Sequence, residues 1–265
     1  GALGADALLL VAAIIWGFAF SAQRSGMEHI GPFAYNGIRY ALGALVLLPL
    51  VAWRRRRGAA PAAPGTAPGP PRLRGLRKAA GILLAGTVLT CGALLQQLGL
   101  GSTTAGNAGF ITSLYVILVP IIGLALGRRS SLAIWIGALL AVVGLYILSV
   151  SGSLSMTGGD LLVLAGSFFW ALHILVVARL VTVLDPIELS AGQFAVCAVY
   201  SLAGALSLEP EPFAGAMAAA VPILYGGVMS CGVAFTLQVL GQRKAHPAHA
   251  SIILSMESLF AGLGG

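Results

Sequence analysis

The sequence predicts an all-α polytopic membrane protein built from two inverted-topology repeats of five helices each. Three observations predict it. Hydrophobic residues make up 58% of the chain and charged residues 9%, which leaves too little polar surface to cover a water-soluble globule. A spanning helix needs about 20 mainly apolar residues, and nine such stretches follow one another. The chain also echoes itself. Asp6, Trp16 and Pro32 recur as Asp160, Trp170 and Pro186, each 154 positions later. Cys91-Gly92 recurs as Cys231-Gly232, 140 positions on, and Ser113-Leu114-Tyr115 as Ser255-Met256-Glu257, 142 positions on. Asp and Trp are rare here, so their agreement carries more than matches of Ala or Leu would. The smaller later offsets place a loop insertion in the first copy. Each copy crosses the membrane five times, an odd number, so the second copy must enter from the opposite face.

The nine stretches are 5–24, 32–53, 79–100, 105–127, 132–150, 160–182, 186–208, 217–241 and 247–265. The first apolar run has membrane length and no cleavable-signal pattern. The second opens at Gly31-Pro32 and ends at Trp53 beside four consecutive arginines, Arg54 to Arg57. Between it and the third lies 54–78, a basic, Pro-rich stretch read as a flexible cytoplasmic loop without a fold. In the fourth, Pro120 is expected to kink the helix, and Gly123 and Gly127 form a GxxxG pair suited to close helix contact. Trp135 opens the fifth near Arg128-Arg129, as an interfacial anchor would. Asp185-Pro186-Ile187-Glu188 is a strong start for the seventh, with Asp as N-cap and Pro at the first helical position. The first repeat takes residues 5–150 and the second 158–265. Gly265 aligns with Gly123, so the second copy lacks the counterpart of 124–150 and the sequence is expected to be a fragment of a longer protein.

The net charge of +7 is concentrated: eight of fifteen basic residues lie between Arg54 and Lys78. That placement favours a topology signal and contact with anionic lipid over nucleic acid. Putting this loop in the cytoplasm places thirteen of the fifteen basic residues on that side and makes the N-terminus cytoplasmic. Cys91, Cys197 and Cys231 sit in apolar runs without metal-type spacing and read as reduced packing residues.

Charges inside a membrane are costly and are functional candidates by default. Glu257 lies about ten residues into its helix, roughly 15 Å deep, and Arg39 about seven residues in, roughly 10 Å. Asn107, Ile111 and Tyr115 are spaced by four, as are His249, Ile253 and Glu257, so each set shares a helix face. In the repeat, Asn107 maps to His249, Tyr115 to Glu257, Arg39 to Gln193 and Trp16 to Trp170; His173 lies one turn beyond Trp170. Gln96 and Gln97 add polar groups at depth. The expected substrate-binding set is Trp16, Arg39, Gln96, Asn107, Tyr115, Trp170, His173, Gln193 and His249, with Glu257 as the proton-coupling candidate. No GxSxG elbow, HExxH motif or metal-ligand cluster is present, so an enzyme, a metal site and a cofactor are not expected.

Ile14-Ile15-Trp16-Gly17-Phe18-Ala19-Phe20 resembles the WG-x-x-F opening of the drug/metabolite transporter superfamily, EamA type. The stretches Gly31-Pro32 to Arg39-Tyr40, Ala108 to Pro120 and Ser255-Met256-Glu257 are similar to that family's second, fourth and ninth helices. Ser258 departs from it, since many relatives have Pro there. The resemblance implies ten helices, of which nine are present, around a central cavity. It also implies export or uptake of small metabolites. With the charges at depth, the function expected is a secondary exporter of small metabolites such as amino acids in a bacterial inner membrane, working by alternating access, with the buried Glu257 carboxyl exchanging a proton. Exchange of anionic or nucleotide-linked metabolites through Arg39 is the alternative, and a non-transporting scaffold the third. The partners expected are a small-molecule substrate, lipid and a second copy in a homodimer.

Overall fold

The computed structural model describes residues 2–57, 71–149 and 157–264, which form nine helices joined by short connections. They are α1 (Ala2–Gly26), α2 (Pro32–Arg56), α3 (Pro71–Leu100), α4 (Ala105–Ser113 and Tyr115–Ala125), α5 (Leu132–Ser149), α6 (Gly158–Leu180), α7 (Pro186–Leu208), α8 (Ala220–Gln242) and α9 (Pro247–Leu254 and Glu257–Gly264). Seven of them, α1 to α4 and α6 to α8, are apolar and long enough to cross a membrane; α9 is divided into two short segments.

Two helices are interrupted at equivalent places. In α4 the break is at Leu114, whose N–H turns back to the Ile111 carbonyl at 3.2 Å; in α9 it is at Ser255-Met256, where the Met256 N–H reaches the Ile253 carbonyl at 3.2 Å. These are the tighter three-residue bonds of a 3₁₀ turn. The Ser113 hydroxyl donates to the Ser255 carbonyl at 3.1 Å, tying one break to the other. A side chain that takes a helix carbonyl is a recognised cause of interruption, and here the carbonyl taken is that of Ser255 in α9. Pro120 itself sits inside the second segment of α4, six residues after the break at Leu114.

The reading of 54–78 as a foldless loop is corrected. Arg54 to Arg56 continue α2 and residues 71–78 open α3; only 58–70 lie outside the described residues. Carboxylates at the start of α7 hold this region: Arg54 pairs with Asp185 at 2.9 Å, Arg55 with Glu188 at 2.7 Å, and Lys78 with Glu188. Arg57 lies over the Trp53 ring, 4.4 Å from its centre. At the other end of the α2–α7 pair, Gly31 has no side chain with which to cap α2. The Glu209 carboxylate at the end of α7 accepts from the Phe33 and Ala34 N–H groups instead, at 2.8 and 3.1 Å. The start of α7 is capped as its sequence requires, with Asp185 accepting from Ile187 and Glu188.

The copies interlock. Helix α1 packs on α8 and α9 of the second copy, and α6 packs on α3 and α4 of the first, while α2 and α7 pack on each other. Glycines permit the closest of these approaches. A Cβ placed on Gly17 of α1 would lie 2.2 Å from the Phe260 Cβ and 2.7 Å from the Glu257 carbonyl of α9. Gly17→Ala should therefore push α9 outward and destabilise the protein by about 1–3 kcal/mol, the usual cost of overpacking; the thermal midpoint in detergent measures it. Gly123 and Gly127 are not such a pair. Nothing approaches a Cβ on Gly123 closer than 3.9 Å, and Gly127 follows the helix at φ 76°, where it ends α4. There the Arg128 N–H returns to the Gly123 carbonyl at 2.8 Å, as in a Schellman cap.

Candidate substrate cavity

The breaks in α4 and α9 place Tyr115 and Glu257 at the first position of each second segment, and both turn into a cavity at the centre of the bundle. Trp16 and Gln23 of α1, Arg39 and Tyr40 of α2, Gln96 of α3, Thr112 of α4 and Trp170 of α6 share its wall. Ser230, Phe235 and Gln238 of α8 and Leu254 of α9, with Ala19, Phe20 and Ile174, complete it. No residue of α7 lines it.

Arg39 is 2% exposed. Its Nε donates to Asn36 Oδ1 at 2.7 Å, and the Asn36 amide donates in turn to the Ala93 carbonyl of α3 at 3.2 Å. Its guanidinium carbon lies 4.7 Å from the Tyr40 ring centre and 5.6 Å from that of Tyr35. These faces favour a cation, but no carboxylate pairs with Arg39 among the described residues. Glu257 is 4% exposed, and among the described residues neither its Oε1 nor the Tyr115 hydroxyl has a partner at ordinary hydrogen-bond geometry. The cavity thus holds one cationic and one acidic side chain, each facing it without a countercharge.

The other walls are built from aromatic rings and carboxamides. Phe235 is the hub, its ring centre 4.6 Å from that of Trp16, 5.5 Å from Phe194 and 6.0 Å from Trp170. Gln96 is fully engaged: its amide donates to Gln23 Oε1 at 3.1 Å, while its carbonyl accepts from Trp170 Nε1 at 2.9 Å. Trp16 Nε1 donates to the Ser230 carbonyl at 3.3 Å. That carbonyl belongs to an eleven-residue π-helical stretch of α8, Tyr225–Phe235. Here the wider i→i+5 turn, with Gly226 and Gly227 against Arg39 and Leu42, brings α8 close to α2.

Of the sequence-predicted residues, Trp16, Arg39, Gln96, Tyr115, Trp170 and Glu257 meet at the cavity; Asn107, His173, Gln193 and His249 do not. Asn107 and His249 are exposed, and His249 Nε2 pairs with Asp6 Oδ1 at 3.0 Å. Spacing by four holds only along an unbroken helix, and the interruptions at Leu114 and Ser255-Met256 turn these residues away from Tyr115 and Glu257. His173 and Gln193 are fully buried and bonded to each other at 2.8 Å, behind Phe235. Gln97 is likewise buried, its amide donating to the Gln23 carbonyl. The sequence reading missed Gln23, Tyr40, Thr112, Ser230, Phe235 and Gln238. Gln23 and Gln238 were findable as polar residues in apolar helices, whereas Phe235 looks like any other core aromatic.

Comparison with known proteins fits this architecture. Residues 3–150 and again 157–264 match the EamA-like transporter family. An uncharacterised transporter of Archaeoglobus fulgidus is 29% identical over 266 residues, which span 98% of this chain and 77% of the relative. The uncharacterised inner membrane transporter YedA of Escherichia coli is 27% identical over 222 residues, 80% of this chain and 63% of its own length. A crystal structure of a protein sharing 17% identity superposes with a TM-score of 0.73 over 97% of this chain and 85% of the other, a likeness of fold. A helical membrane bundle with a central cavity, matched to one family over nearly its full length, belongs to the EamA-like transporters.

Proposed function

We propose that this transporter exports small zwitterionic metabolites such as amino acids by alternating access, in exchange for protons. The observation that carries the reading is the presence of Arg39 and Glu257 in one cavity without countercharges. A zwitterion supplies both: its carboxylate meets the Arg39 fork and its ammonium meets Glu257. Trp16, Trp170 and Phe235 offer apolar and aromatic surface to the rest of the substrate. Glu257 holds either the ammonium or a proton, and this competition couples outward substrate flow to inward proton flow. The alternative of anionic, nucleotide-linked substrates has Arg39 in its favour, but Glu257 in the same wall opposes a second negative charge. The distribution of basic residues supports a cytoplasmic N-terminus, and the name of the Escherichia coli relative supports an inner-membrane location.

Counterflow tests this. Proteoliposomes of the full-length protein, preloaded with unlabelled compound, should accumulate labelled neutral amino acids. They should not accumulate nucleotide sugars or monocarboxylates that lack an amino group. Accumulation of the anions with none of the amino acids would replace this reading by the alternative, and no flux with any compound would favour a scaffold.

A further inference from the structure

A second set of buried polar groups lies behind the cavity wall. His173 Nδ1 on α6, Ser190 Oγ and Gln193 Nε2 on α7, and Gln242 Oε1 on α8 are sealed and have no hydrogen-bond partner among the described residues. Buried polar groups in folded proteins are almost always paired with protein or water, so a cluster of unpaired ones needs a reason. Hydrogen bonds place three of them together. His173 Nε2 and Gln193 Oε1 are 2.8 Å apart, and the Gln242 amide donates to the carbonyl of Ile174, next to His173, at 3.3 Å. Ser190 is one turn before Gln193, and Gln238 is one turn before Gln242 and already reaches the cavity. The Phe235 ring stands between the two regions, 6.0 Å from His173 on one side and 4.6 Å from Trp16 on the other.

The row ends at the first turn of α7, where the Arg54–Asp185, Arg55–Glu188 and Lys78–Glu188 pairs close the bundle. The duplication adds a second argument. Gln193 is the counterpart of Arg39, as Trp170 is of Trp16. Inverted repeats present their shared site alternately to the two sides. In this structure Arg39 faces the cavity and Gln193 is sealed.

We propose that His173, Gln193 and Ser190 form a second substrate station, closed in this state and reached from the α7 end once the ion pairs at Asp185 and Glu188 part. It offers neutral donors and acceptors and no fixed charge. It therefore takes water and the hydrogen-bonding head group of a polar or zwitterionic metabolite, more weakly than the charged cavity does. The inference rests on the transporter reading.

Thiol accessibility tests it without requiring flux. In detergent-purified full-length protein with Cys91, Cys197 and Cys231 replaced by Ala, a Ser190→Cys reporter is treated with a methanethiosulfonate ethylammonium reagent. Rates are normalised to the protein unfolded in dodecyl sulfate. Adding Asp185→Asn and Glu188→Gln removes the ion pairs, and Asn retains the α7 cap. The expected result is at least a tenfold faster reaction at Ser190→Cys. A control cysteine at Ser167, buried on α6 away from the row, should stay slow. An unchanged Ser190→Cys rate overturns the proposal, and so does equal acceleration at Ser167→Cys, which would mean general loosening. Counterflow is measured on the same proteins. Flux with an unreactive Ser190→Cys removes the station and leaves the transporter standing, whereas reactivity without any flux in the parent counts against the transport reading itself.

Discussion

Replacing Arg39 by Gln is expected to reduce counterflow of neutral amino acids about 100-fold while raising the thermal midpoint of the protein. Both effects have one cause. A buried guanidinium pays a large desolvation penalty that only a close countercharge repays, and Arg39 has Asn36 and two tyrosine faces but no carboxylate. Without substrate, the charge is an unpaid strain on the fold, so Gln relieves it. With substrate, the lost charge-assisted pair costs about 2–5 kcal/mol, the range for truncating one partner of a buried ionic contact. Arg39→Lys should recover only part of the rate, because an ammonium cannot present two parallel donors while a third holds Asn36. Wild-type counterflow in Arg39→Gln would exclude the carboxylate contact. Lost counterflow together with a lowered midpoint would mark Arg39 as structural.

Glu257→Gln is expected to abolish accumulation driven by a pH gradient and to leave substrate exchange running, with half-saturation about tenfold higher. Gln still accepts hydrogen bonds from an ammonium but carries neither charge nor exchangeable proton, so binding weakens while coupling disappears. The burial of Glu257 in the cavity wall beside Tyr115 suits the carboxyl to this role. Flux ratios in proteoliposomes with and without an imposed gradient separate the two effects. Gradient-driven accumulation that survives in Glu257→Gln would move the coupling elsewhere.

Most of the fold was readable because its signals are additive along the chain: long apolar runs, the Asp185-Pro186 start and the repeat of Asp6, Trp16 and Pro32 each point one way. The site was readable in part. Charge at depth is expensive enough to announce itself, which is why Arg39 and Glu257 were found. Face assignments failed where they assumed straight helices. At Ser255-Met256 a hydroxyl of another helix takes the Ser255 carbonyl, a long-range contact with no local signature. The eleven-residue π-helical stretch in α8 was equally invisible, since Gly226 and Gly227 only permit the close approach to α2 that it accompanies. The basic residues after Trp53 were read by their charge, but their partners lie more than a hundred positions away, at Asp185 and Glu188.

The interlocking of the copies also bears on how the molecule is made. Ribosomal synthesis delivers α3 and α4 before α6, the helix on which both pack, exists. Until α6 emerges, the carbonyl of Gln96 lacks the Trp170 donor that later satisfies it, and the polar edges of α3 and α4 meet lipid or the insertion machinery. The first half is thus a nascent intermediate that cannot complete itself. Co-expressed halves, separated between α5 and α6, should be degraded singly and survive only together.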